Sequence, residues 1–356
     1  LAPLRDRLAA LVPPPVPTVM VLRERTEPRV TRLHRRGSFL DPGEVVPPAV
    51  PAVLGSLPPD APRNRLGLAR WLVSDDHPLT ARVTVNRFWG ELFGRGIVAT
   101  ESDFGRRGDR PTHPALLDWL ARRFVEDGWS VKRLLRTIVT SRTYRQSARV
   151  DAALRALDPE NRLLARAPRV RLPGEILRDV ALSAAGLLSP KVGGPSVFPP
   201  QPDGIWNAAY SGERWTTSEG EDRVRRGLYT FWRRTSPYPT FALFDAPSRE
   251  LACTRRDRSN TPLQALALWN DPAFVEAARA LAGRMVEEGG DEPAAAVTRG
   301  FRLCVGRSPE PAEIDLLVAL HEDTRARAAP AADADARAWF VVASTLLNLD
   351  ETVTKG

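Results

Sequence analysis

Lysine is almost missing from this chain. Only Lys132, Lys191 and Lys355 occur among 51 basic residues, so the net charge of +8 is carried by arginine. The arginines are spread among acids rather than gathered in a stripe. A nucleic-acid reader needs a clustered basic footprint, so specific nucleic-acid binding is not expected. Histidine is scarce as well: His34, His77, His113 and His321 stand far apart. His321 has no second ligand at metal spacing beside it and reads as a packed helix-face histidine, so no metal site is expected. Cys253 and Cys304 are the only cysteines. There is no C-x-x-C-H, which excludes c-type haem attachment by this chain, and no C-x-x-C pair for zinc. The two thiols stand either as one disulfide or as two solitary half-buried groups. No apolar run approaches the roughly 18 residues of a membrane span. Gly-x-Ser-x-Gly, the phosphate loop and the dinucleotide fingerprint are all absent, so no residue is assigned as catalytic. Paired carboxylates for sugar hydrolysis stay open, because the fold sets their approach.

What is present is helical. At 356 residues with 43% hydrophobic content, the chain is long enough for about two domains or one large one with additions. The expected class is mainly α: a multi-helix array with a small β element near the N-terminus and long irregular loops. The chain opens on Leu1 rather than Met, and residues 1–18 read as the tail of an upstream region followed by a linker. Residues 19–62 read as an extended, proline-rich strap with short strands at 19–22 and 30–34. A turn is expected at Asp41-Pro42-Gly43-Glu44. Residues 63–188 form a first helical block and 221–356 a second, and 63–356 as one compact domain is the alternative. In the first block, Val85, Phe88, Trp89, Leu92 and Phe93 recur at helical spacing. Asn86 lies beside that apolar side and is expected to be buried with hydrogen-bond partners. Asp158-Pro159 reads as a helix start, and 219–232 as one helix with Leu228, Phe231 and Trp232 on its core side. Residues 189–220 are irregular and carry Trp206, Tyr210 and Trp215, which either pin the loop to the core or stack on sugar rings.

The densest punctuation lies in 244–272, FDAPSRELACTRRDRSNTPLQALALWNDP. A basic run precedes Asn260-Thr261-Pro262, where Asn260 or Thr261 caps a helix and Pro262 takes the first helical position. Leu263, Leu266 and Ala267 are expected on its apolar side. Two readings of the run stay open. Its arginines pair with Asp245, Glu250 and Asp257 in an ordered connection, or the loop and helix N-terminus hold an anion. On the second reading the anion- or glycan-binding residues are Arg249, Arg255, Arg256, Arg258 and Asn260, with Trp206, Tyr210 and Trp215.

Several long stretches resemble one family. RRGSFLDPGEVVPP (35–48), NRLGLARWLVSDDHPLTARVTVNRFWGELFGRGIV (64–98), GWSVKRLLRTIVTSRTYRQS (128–147) and RSNTPLQALALWNDPAFVEAARALA (258–282) match, in order, the planctomycete cytochrome-c-associated PSD domain. That domain is also called domain of unknown function 1553. The match departs mildly near its end, where Thr352 replaces an aromatic. The resemblance implies a cell-envelope, extracytoplasmic setting. It also implies an upstream cytochrome-type domain of the same polypeptide carrying the c-type haem. It supplies no catalytic residues. Two functions are expected to compete. One is a non-catalytic interaction module that holds a partner or a cell-wall or acidic polymer. The other is a hydrolase or lyase acting on acidic or sulfated polysaccharide, with arginine forks on the anionic groups.

Overall fold

The computed structural model describes residues 2–10, 18–205, 214–290 and 292–356. The chain divides into two units, Leu1–Ala81 and Arg82–Gly356. Among the described residues it is mainly α, with fifteen α-helices and two two-stranded sheets.

The first unit holds α1 (Ala2–Ala10), β1 (Arg32–His34), β2 (Pro42–Val45) and α2 (Arg65–Leu72). Val19, Met20, Val21 and Leu22 form no strand and stand exposed. The stretch expected as a turn is instead β2, which pairs antiparallel with β1 across an irregular register. The turn that joins them lies earlier, where Ser38 N–H bonds to the Arg35 carbonyl. Asn64 caps α2 by accepting from the N–H groups of Leu66 and Gly67. His77 plays a similar part at the next helix, where Nδ1 lies 3.1 Å from the Thr80 amide. That helix starts at Thr80 rather than at His77-Pro78.

The second unit begins within α3 (Thr80–Phe93) and continues with α4 (Pro114–Glu126), α5 (Val131–Val139) and α6 (Ala152–Leu157). Asp158-Pro159 ends α6 instead of starting a helix: buried Asp158 accepts from the N–H groups of Arg162 and Leu163 and closes a turn. Next come β3 (Val170–Arg171) and α7 (Gly174–Ala184). The expected helix over 219–232 breaks into α8 (Gly220–Arg223) and a single 3-10 turn at Gly227–Tyr229. Arg225 is the cause. It is fully buried, lies 3.8 Å over the Tyr229 ring, and donates to the carbonyls of Lys191, Gly193 and Pro195. One buried guanidinium thereby satisfies a run of loop carbonyls that would otherwise stand unpaired.

The core lies in the rest of the second unit. It comprises α9 (Pro239–Leu243), α10 (Pro262–Asn270), α11 (Pro272–Gly289), α12 (Pro293–Val305), α13 (Pro311–Ala328), α14 (Ala334–Asn348) and α15 (Asp350–Val353). Asp271 caps α11, whose Phe274, Ala277, Ala278, Leu281, Ala282 and Met285 are buried as one face. α7, α12 and α14 pack around it. His321 is buried against Trp339, with ring centroids 4.1 Å apart. Of the apolar side expected for α10, Ala267 packs against the core but the two leucines do not. Leu263 and Leu266 are 62% and 58% exposed, and Gln264 and Leu268 face inward. Gln264 turns in because its amide closes the capping box with Thr261 and also reaches the Leu243 carbonyl. β4 (Thr354–Lys355) pairs antiparallel with β3, Arg171 opposite Thr354. This second sheet was not expected, since two residues carry no readable alternation.

Candidate anion-binding cleft

Within the second unit, β3, the turn after α6, the segment after α3 and the loop before α10 enclose a cleft of about 1000 Å³. Eight arginines and three carboxylates line it. Its floor is apolar. Trp89 and Phe93 of α3 stack with centroids 4.1 Å apart, and Ile97 and Val170 lie beside them. Asn86 anchors the segment after α3. It is fully buried, accepts from Val98 N–H at 2.8 Å and donates to the Val98 carbonyl at 3.0 Å.

The loop before α10 is tied at both ends. Asp245 takes φ of 60° and its Oδ2 accepts from the Ser259 amide at 2.7 Å and the Ser259 hydroxyl at 2.8 Å. Gln264 also donates to the Ser259 hydroxyl. Arg255, Arg256, Arg258 and Asn260 then line the cleft. Their counter-ions are mostly distant in sequence. Arg255 pairs with Asp257, but Arg256 meets Glu175 at 3.0 Å and Arg258 meets Glu91 at 2.9 Å. Arg249 does not join them; its guanidinium sits 4.6 Å over the Trp232 ring. Trp215 is held elsewhere, donating from Nε1 to the Pro199 carbonyl and packing on Phe198 and Tyr238. Trp206 and Tyr210 lie outside the described residues.

The opposite wall consists of arginines that the sequence reading passed over: Arg162, Arg166, Arg169 and Arg171, with Arg95. A signal was there. Residues 161–174 hold four arginines and no acid. Arg95 pairs with Glu160 and Arg169 with Asp350. Arg166 donates from Nη2 to the carbonyls of Asp158 and Pro159, and its buried Nη1 has no acceptor. Arg162 is exposed and has no ion pair among the described residues. Arg171 has neither an ion pair nor a side-chain hydrogen bond among them, and its buried Nε is orphaned. Burial depresses the Arg171 guanidinium, and the Asp245 carboxylate opposes this. Buried Asn161 Oδ1 on the same wall also lacks a partner. Orphaned buried polar atoms cost about 1–3 kcal/mol each, so three on one wall mark a place that favours a polar ligand.

Glu101 does not line the cleft; burial pushes its carboxyl up, the Arg255 charge opposes that shift and the Glu91 charge adds to it. Asp158 runs the other way. Burial raises it, but the N–H groups of Leu163 and Arg162 and the nearby arginines outweigh burial and lower it. Among the described residues no three His, Cys, Asp or Glu side chains are grouped to hold a metal.

Residues 64–321 match the family model PSD1, protein of unknown function (DUF1553). The chain belongs to this DUF1553 family. No curated protein and no solved structure matches it. Most of the cleft wall of this DUF1553 chain falls inside the matched stretch, whereas Asp350 and Thr354 lie beyond it. No helix among the described residues is long and apolar enough to cross a membrane.

Proposed function

We propose that this chain is a non-catalytic binding module that holds an acidic or sulfated polysaccharide in the arginine cleft. Arg171 carries the reading: a guanidinium set into the wall of an arginine-lined cleft, with no ion pair or side-chain hydrogen bond among the described residues. A fork of N–H donors in that position matches sulfate and carboxylate geometry. The resemblance to a cytochrome-associated domain supports a cell-envelope setting in a longer polypeptide, where such a module would keep a haem domain near a wall polymer.

Calorimetric titration with a sulfated polysaccharide, its desulfated counterpart and duplex DNA tests this. The expected result is binding of the sulfated polymer, weakened by salt, with the neutral polymer inert. Equal binding of DNA and sulfated polymer would reduce the effect to net charge and sink the reading.

Cleavage of the same polymer is the second reading, and Glu101 favours it. A carboxyl raised by burial, on which the charge of cleft-lining Arg255 acts, has the character of a general acid. Release of reducing ends from the bound polymer, lost in Glu101→Gln, would replace the binding-only reading.

A further inference from the structure

The arginines of the cleft differ in how fully they are engaged. Arg256 gives Nη2 to both Glu175 oxygens, at 3.2 and 3.0 Å, and Arg258 is held by Glu91. Asp245, the acid whose charge acts on Arg171, already accepts from Ser259 and Gln264 through Oδ2. Arg171 is left with the Phe244 ring, 5.7 Å from its guanidinium carbon.

The fold holds Arg171 there firmly. Its backbone pairs with Thr354, and Leu172 N–H bonds to the Val353 carbonyl at 3.0 Å. Gly94, at φ of 78°, abuts the neighbouring Val170; a Cβ there would lie 2.8 Å from Val170 Cγ2. Arg171 also borders two spaces at once. One is the main cleft. The other is a recess of about 10 Å³ whose wall includes Phe244, Asp245, Arg256, Asp257, Arg258 and Ser259, with Asp257 already paired to Arg255. Such a recess admits about one water-sized atom. A sugar ring does not fit it, but one oxygen of a substituent does.

We infer that the Arg171 corner is a preformed subsite for a single oxyanion substituent, a sulfate ester, phosphate or carboxylate, with Arg171 as direct ligand flanked by Arg256 and Arg258. The inference rests on the proposed reading of the cleft and names the group that reading would recognise. One oxygen enters the recess and accepts from the buried Nε–H, and a second faces the cleft and accepts from an Nη–H, so that the guanidinium acts as a fork. The oxyanion accepts from the orphaned Nε–H and an Nη–H together, a two-point match that a lysine ammonium in this position would lack. The flanking pairs to Glu175 and Glu91 keep Arg256 and Arg258 in place without surrendering their charge.

The test uses the full chain and three anions, sulfate, phosphate and acetate, titrated at constant ionic strength against chloride. Thermal melting and the Arg171 Nε–Hε resonance are followed, in the parent chain and in Arg171→Gln, Arg171→Lys and Arg327→Gln. The expected result is a saturable rise in melting temperature with a shift of the Arg171 resonance. It should be lost in Arg171→Gln, weak in Arg171→Lys and intact in Arg327→Gln, whose exposed side chain lies outside the cleft. Affinity for sulfated polymer should fall about tenfold or more in Arg171→Gln. The ranking of the three anions tells sulfate ester from phosphate and carboxylate.

An anion response unchanged in Arg171→Gln would overturn the subsite, as would an Arg171 resonance that never moves. If Arg171→Gln still binds polymer within twofold of the parent chain, the cleft reading survives and the subsite falls. If the parent chain ignores the polymer yet binds free sulfate through Arg171, the polymer reading falls and the subsite stands.

Discussion

Asn86 and Val98 are bonded as though they were partners in a sheet. The side-chain amide of one closes both backbone groups of the other, at 2.8 and 3.0 Å, with Asn86 fully buried. Asn86→Ala would orphan a buried N–H and a buried C=O together. The expected cost is about 3 kcal/mol, from about 1–3 per unpaired group. Denaturant unfolding should show a lower midpoint with an unchanged slope. A loss below about 1 kcal/mol would mean that water replaces the amide.

Arg171→Met separates binding from stability. A charge held in a partly buried wall without a counter-ion is stabilised less than an apolar side chain of similar length. The variant should be as stable as the parent or more so, by up to about 1 kcal/mol, while losing affinity for sulfated polymer. A clear drop in melting temperature would assign Arg171 a structural part instead.

Acid stability should depend on Arg307. Its guanidinium bonds to both Glu313 and Glu351. Hydrogen bonds from Arg307, helped by the Glu310 amide, depress Glu313 to about 2 from its ordinary 4.5, and Arg307 also lowers Glu351. A depressed carboxyl adds stability that is present above its unfolded pKa and disappears as pH falls through the folded one. Melting temperature should therefore fall between pH 4.5 and about 2. In Arg307→Met that fall should be shallower. The groups are partly exposed, so high salt should shrink the difference. Parallel curves for both proteins would remove this trio from the acid transition.

The thiols should report on unfolding. Both cysteines are free in the structure; Cys253 is exposed and Cys304 is not. Burial pushes the Cys304 thiol up to about 12, which leaves almost no thiolate at neutral pH. Mass spectrometry should find one maleimide per native chain, on Cys253, and two after denaturation. Rapid native labelling of Cys304 would contradict its burial.

Features encoded locally were legible in the sequence. Ser130, Thr261 and Asp271 cap the helices that follow them, and the face of α11 is buried at the positions its spacing gave. These depend on neighbours within one or two turns, where chain geometry alone fixes who meets whom. Reading failed where a distant partner outbid local preference. Arg225 broke the expected helix over 219–232 by turning inward to the carbonyls of 191–195. Gln264 turned the short α10 over, leaving Leu263 and Leu266 outside.

The same division governs the candidate site. The sequence by itself determined the helical class, the family and an arginine-rich loop ahead of α10, three of whose arginines do line a cleft. Tertiary structure alone decided what stands opposite and which charges remain free. Arg256 finds Glu175 across 81 residues and Arg258 finds Glu91 across 167. The β3–β4 pairing brings residues 354–355 against 170–171. Coulomb attraction depends on separation in space, and no periodicity along a chain records which acid an arginine will meet. Arg171 stands apart from exposed Arg162 and carbonyl-bound Arg166 because the fold sets it partly into the wall with its Nε unpartnered, while Asp245 is bonded to Ser259.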